Sequence, residues 1–174
     1  MEPKYIIKMC LLGEANVGKT SLVYRFIENK FRDNYKSTLG VNLLKKDMEI
    51  DAYGGVSAQI WDLGGQESFR SLRKLYLEGA NGALLIYDMT NKKTFEKCNE
   101  WIESFRESRE TAPIVLIGNK ADLENQIKIT KSEAEEYAKL HNMDLVVTSA
   151  KTGHNVEEAF IELTKKILNK ISGK

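Results

Sequence analysis

Residues 13–20 read GEANVGKT: a glycine, four intervening residues, then Gly18-Lys19-Thr20. The run before it, Tyr5–Leu12, is apolar except for Lys8. The residues after it, Leu22, Val23, Phe26 and Ile27, recur at the spacing of one helix face. A loop of this composition between a strand and a helix suits a phosphate. Its glycines let backbone N–H groups turn inward, and the helix start adds its dipole. Lys19 is then placed to reach the outer phosphates and Thr20 to offer its hydroxyl to magnesium. The competing reading is a plain strand-to-helix turn, and the rest of the chain has to decide.

The chain has 174 residues, enough for one domain, residues 1–174, with a sizeable core. Its 26 basic and 25 acidic residues leave a net charge of +1, so no global field recruits nucleic acid or an anionic membrane. Cys10 and Cys98 sit in apolar surroundings and read as core filler in a reduced, cytoplasmic compartment. No stretch approaches the roughly 18 apolar residues of a spanning helix. The N-terminal YIIKMCLLG does not read as a signal peptide. The final ISGK offers no cysteine for a lipid, so no lipidation site is expected in this chain.

Four short apolar runs, Tyr5–Leu12, 83–87, 114–117 and 145–147, read as strands buried on both faces. Helical patterns lie between and after them: Phe95, Cys98, Trp101, Ile102 and Phe105, then Val156, Ala159, Phe160, Leu163, Ile167 and Ile171. Stretches 41–50 and 56–63 flank Asp51-Ala52-Tyr53-Gly54-Gly55, which reads as a hairpin turn. The expected fold is a three-layer α/β domain, a mostly parallel six-stranded sheet with one antiparallel edge strand and helices on both faces. Ligands of such folds bind beyond the carboxyl ends of the strands.

The polar clusters fall at those ends. Stretch 56–63 runs through Trp61-Asp62-Leu63 into Gly64-Gly65-Gln66. Beside a phosphate loop, Asp62 reads as the acidic partner of magnesium, through water. Gly65 can place its N–H against a terminal phosphate, and Gln66 can orient an attacking water. The next strand runs into Gly118-Asn119-Lys120-Ala121-Asp122. Asp122 can accept from the ring N–H and exocyclic amine of guanine, a donor pair adenine lacks. Asn119 can serve the other ring edge or tie loops together, while the Lys120 stem lies along the ring face. After the last strand comes Thr148-Ser149-Ala150-Lys151, where the Ala150 N–H can bond the guanine oxygen.

With these motifs in order, the sequence resembles the Ras superfamily of small GTP-binding proteins, and within it the Rab branch. Glu67-Ser68-Phe69-Arg70-Ser71-Leu72 and Tyr76-Leu77-Glu78-Gly79-Ala80 are similar to the Rab second switch and the helix after it. Tyr87-Asp88-Met89-Thr90 resembles the family's Y-D-x-T, and residues 29–38 resemble the first switch. The resemblance implies a P-loop small G domain that binds GTP or GDP with Mg2+. It implies nucleotide contacts from Gly13, Glu14, Ala15, Asn16, Val17, Gly18, Lys19, Thr20 and Ser21. The remaining nucleotide contacts implied are Phe31, Tyr35, Thr38, Gly65, Asn119, Lys120, Asp122, Ser149, Ala150 and Lys151. Phe31 would pack against guanine, and Thr38 would join Thr20 and Asp62 around the metal. Lys19, Thr38, Gly65 and Gln66 form the implied catalytic set. Exchange factors, activating proteins and effectors would engage residues 31–43 and 62–76 of a monomer. That monomer would be cytoplasmic, or peripheral at a membrane through its partners.

The sequence also departs from the branch. Leu63-Gly64-Gly65-Gln66 replaces T-A-G-Q and is closer to the G-G-Q of Arf-like proteins. Ala15 occupies a position often held by glycine. Asn42 and Leu43 stand where an acid and an aromatic are usual. Tyr35 stands where heterotrimeric α-subunits carry an arginine. Without that arginine, intrinsic hydrolysis is expected to be slow, on the order of 10⁻⁴–10⁻³ s⁻¹. The alternative is a GTP/GDP-binding scaffold module with little or no turnover.

Overall fold

The computed structural model describes residues 2–31, 41–63 and 72–174. After β1 (Tyr5–Leu12) come α1 (Lys19–Glu28), β2 (Val41–Ile50) and β3 (Gly54–Leu63). The chain continues through α2 (Arg73–Leu77), β4 (Gly82–Asp88), α3 (Lys92–Glu96), α4 (Cys98–Ser108) and β5 (Ile114–Asn119). It ends with α5 (Lys131–Leu140), β6 (Asp144–Val147) and α6 (Val156–Ser172).

The six strands form one sheet in the order β2-β3-β1-β4-β5-β6. β2 runs antiparallel to β3, and every other pairing is parallel. This is the three-layer arrangement that the alternation of apolar runs and helical patterns implies.

Strand alternation divides the core in two. Ile7, Met9, Leu11, Leu84, Ile86, Val115 and Ile117 face α1 and α6, meeting Leu22, Val23, Phe160, Leu163 and Ile167. Cys10, Leu12, Leu85, Tyr87 and Leu116 face the opposite layer, meeting Leu77, Phe95, Trp101, Phe105 and Ala134. Each fully buried aliphatic or aromatic side chain contributes roughly 1.5–3 kcal/mol, so both layers are held mainly by apolar burial. Lys8, the one charge in the first apolar run, lays its ammonium 3.9 Å from the Trp61 ring centroid and donates to the Glu78 carbonyl.

Three expectations need correction. Gly54 and Gly55 belong to β3, paired with Ile50 and Glu49, so the turn is 51–53. Only a short turn is needed because Ala52 adopts a left-handed φ of 73°. The helical pattern from Phe95 to Phe105 is split at Lys97 into α3 and α4. Lys97 keeps right-handed helical angles, so Phe95, Trp101 and Phe105 still face one core despite the break. Finally, β6 is an edge strand: Leu145, Val146 and Val147 are only half buried and Asp144 is exposed. A strand paired on one side only cannot be covered as completely as the central β1, β4 and β5.

Candidate functional site

The loop after β1, the end of β3, the loop after β5 and the loop after β6 converge at the carboxyl edge of the sheet. Parallel neighbours bring them together. Cys10 and Leu11 pair with Trp61 and Asp62, while β4 pairs with both β1 and β5. β1 lies between β3 and β4 with parallel strands on both sides, and this topological switch point is where sheets of this kind bind ligands.

Gly13 and Gly18 shape the first loop. A Cβ on Gly13 would lie 2.2 Å from the Ile86 carbonyl oxygen, and one on Gly18 would lie 2.4 Å from Asn119 Nδ2. Gly18 has φ +99° and begins α1 without a side-chain cap, and the first turn of α1 holds no acid. The positive end of the helix is therefore left to a ligand anion. Lys19 is 6% exposed and folds over the loop, its Nζ donating to the Gly13 and Glu14 carbonyls at 2.8 Å each. Burial pulls this ammonium down to about 8, against the opposing influence of the Asp62 and Glu14 charges.

Thr20, in the first turn of α1, donates its hydroxyl to Asp62 Oδ2 at 2.6 Å. These two residues are 42 positions apart, and Asp62 is fully buried. A hydroxyl and one carboxylate are hard oxygen donors of the kind that hold magnesium together with waters and substrate phosphates. Among the described residues, no group of three or more His, Cys, Asp or Glu side chains gathers to hold a metal. The donor set, the Lys19 ammonium over the loop and the uncapped helix start all fit a magnesium-bound phosphate.

The residues after β5 and β6 form a second half, cross-linked by hydrogen bonds. Asn119 is 1% exposed and ties loops together: its Nδ2 donates to the Val17 carbonyl at 2.9 Å. Its Oδ1 accepts from Thr148 Oγ1 at 3.1 Å and from the Ala150 N–H at 3.3 Å. These bonds tie the loops after β1, β5 and β6 together. Asp122 is oriented by Ser149, whose hydroxyl donates to Oδ1 at 2.7 Å. Lys120 reaches the Asn16 carbonyl at 2.8 Å and Asp88 Oδ2 at 2.9 Å. Lys151 is exposed, and Phe31 is half buried against the α1/α6 core. Ala15, Asn16, Val17 and Ser21 complete the first loop and the helix start. Tyr35, Thr38, Gly65 and Gln66 lie outside the described residues.

Four supports escaped the reading of the sequence. Arg25, on the polar side of α1, donates its Nε to the Ala150 carbonyl at 2.9 Å and an Nη to that of Lys151, pinning the last loop. Trp101 reads as core, which it is, yet its Nε1 also donates to Glu14 Oε1 at 3.2 Å. The Arg73 guanidinium lies 3.5 Å from the Trp101 ring centroid, placing the start of α2 one aromatic ring away from the phosphate loop. Asp88, at the end of β4 and paired with Lys120, is the fourth. No spacing rule reveals such partners, because each is chosen across the sheet.

Residues 8–169 match the Ras family model. This chain belongs to the Ras family. Ras family members are guanine-nucleotide-binding switches of the GTPase class, and the match takes in the phosphate loop, Asp62 and the loops after β5 and β6. No helix among the described residues is long and apolar enough to cross a membrane.

Proposed function

We propose that this Ras family member is a Rab-like switch, built as one domain over residues 1–174. In this reading it hydrolyses GTP slowly and changes its affinity for partners that regulate membrane traffic or related signalling. The meeting of Thr20 and Asp62 at 2.6 Å beside Lys19 supports the nucleotide-binding core of this reading, because a hydroxyl, a carboxylate and an ammonium close together suit magnesium and phosphate. Magnesium, held by Thr20, Thr38 and through water by Asp62, would supply charge neutralisation at the phosphate oxygens. Lys19 and the N–H groups of the phosphate loop would balance charge developing toward the leaving phosphate. Gln66 would orient the attacking water, while the Gly65 N–H and Thr38 report the terminal phosphate. Asp122, fixed by Ser149, would select guanine, with the Ala150 N–H facing the guanine oxygen and Phe31 beside the ring. Tyr35 and the remaining loop residues would complete the nucleotide contacts.

Partner recognition through residues 31–43 and 62–76 is supported by side chains that stand out of the described parts. Leu43 is 59% exposed and Leu75 64% exposed, and Leu43 pairs with Trp61, whose ring centroid is 5.9 Å from that of Tyr76. The switch would act as a monomer in the cytoplasm or, through its partners, at a membrane surface.

Nucleotide released on denaturing the purified protein, separated by chromatography, tests the first half of this reading. GDP is expected. Single-turnover hydrolysis tests the second, with a rate on the order of 10⁻⁴–10⁻³ s⁻¹ and a slower Gln66→Leu variant. Mostly GTP on the purified protein, or a Gln66→Leu variant identical to wild type, would instead favour a binding module without useful turnover.

A further inference from the structure

The two oxygens of Asp88 have separate tasks. Oδ1 accepts from the Thr90 N–H at 2.8 Å and the Thr90 hydroxyl at 2.6 Å, closing the turn that ends β4. Oδ2 faces Lys120 Nζ at 2.9 Å. The Asp88 side chain is only 8% exposed, so this charge pair is poorly screened on the carboxylate side. Lys120 Nζ also donates to the Asn16 carbonyl at 2.8 Å, crossing from the loop after β5 to the phosphate loop. Both residues at that crossing are left-handed, Asn16 at φ 68° and Lys120 at φ 71°. Asparagine visits this region readily, but a lysine there is strained and persists only when its surroundings hold it. A lysine with three donors and a flexible stem would otherwise have many positions open to it. Asp88 selects one.

We propose that Asp88 is a positioning residue for the nucleotide. Acting through Lys120, it locks the base-reading loop to the phosphate loop and so sets how long a guanine nucleotide stays bound. The inference rests on the reading of these two loops as the guanine and phosphate halves of one site. A ligand that spans both halves leaves only when they separate, and the Lys120 crossing is a side-chain bridge between them. A second bridge, Asn119 to the Val17 carbonyl, is buried and lacks a charged donor. The charged bridge is the one Asp88 controls.

Asp88→Asn suits the test. The amide oxygen can keep both Thr90 bonds at Oδ1, while the Oδ2 position becomes an NH2 that no longer attracts Lys120. Lys120→Met keeps the apolar stem and removes the ammonium. The experiment follows dissociation of a fluorescent N-methylanthraniloyl-GDP, chased with excess GDP in the presence of Mg2+, for wild type, each single variant and the double variant. Asp88→Asn is expected to release the probe about tenfold faster, as for loss of one charge-assisted hydrogen bond. Lys120→Met should also release it faster, and the double variant no faster than Lys120→Met alone. That non-additivity separates positioning through Lys120 from a general loosening of the fold. Thr90→Val, which removes one bond to Oδ1 and leaves the ion pair, should keep the wild-type rate. If Asp88→Asn does not fold, Asp88→Ser replaces it in the same cycle.

An unchanged rate in the Asp88 variant, or additive effects in the double variant, overturns the link while leaving the guanine site intact. A wild-type protein that binds no labelled GDP overturns the site reading and the link together.

Discussion

Gly18 shows how much one residue can decide. It sits at φ +99° and, with no side chain, leaves room for Asn119 Nδ2, so an alanine there meets strain and collision together. Gly18→Ala is expected to cost about 2–3 kcal/mol in urea unfolding, and less than additively with Asn119→Ala, which removes the colliding group. Full additivity would show that the two residues do not press on each other. The two thiols illustrate the opposite case, side chains with structure but no chemistry. Burial pushes both Cys10 and Cys98 up to about 12. At pH 8 the native chain should therefore hold only about one thiolate in ten thousand at either position and leave a disulfide reagent almost unreacted until denaturant is added. The sign for stability follows from the raised values. From the unperturbed 9.0 up to about 12, the unfolded chain releases protons that the folded chain keeps, so stability falls as pH rises through that window. A rise in urea midpoint across it would contradict the assignment. Both cysteines read correctly as core from their apolar neighbours alone, whereas the Gly18–Asn119 contact joins two loops that no local pattern connects.

At the scale of elements, the apolar runs announced the strands well because burial on both faces makes β1, β4 and β5 nearly continuous hydrophobic sequence. The same logic misled at β6, where three apolar residues could be a covered strand or a half-covered edge, and only the strand order makes it an edge. The split between α3 and α4 was hidden for a related reason. Periodicity records which face a residue presents, and Lys97 preserves that face across the break. Helix α5 offers a clean local test. Thr130 is its N-cap, accepting from the Glu133 N–H at 3.1 Å, and it is exposed, so nothing else depends on its hydroxyl. Thr130→Ala should lower unfolding free energy by about 1 kcal/mol, with nucleotide release unchanged. A change in release rate would mean that α5 communicates with the site.

For the whole molecule, the site is a junction of distant segments, and a ligand bridging them should stabilise the fold by mass action. Stripping bound nucleotide with a phosphatase and magnesium with EDTA is expected to lower the melting temperature by on the order of 10 °C, with recovery on adding GDP and Mg2+ but not ADP and Mg2+. Equal recovery with ADP would contradict guanine selection by Asp122. The sequence by itself determined the apolar strands and the helical faces of α1, α4 and α6, because amphipathic period is a property of neighbouring residues. It also carried the phosphate-loop motif and the motifs after β5 and β6, because each is a run of contiguous residues following an apolar strand. Only the tertiary structure decided which motif touches which. Trp101 holds Glu14 across 87 positions, Arg25 holds Ala150 across 125, and Asp88 holds the lysine that reaches the phosphate loop. These partners are set by a strand order in which β1 lies between β3 and β4, and hydrophobic periodicity has no component that encodes it.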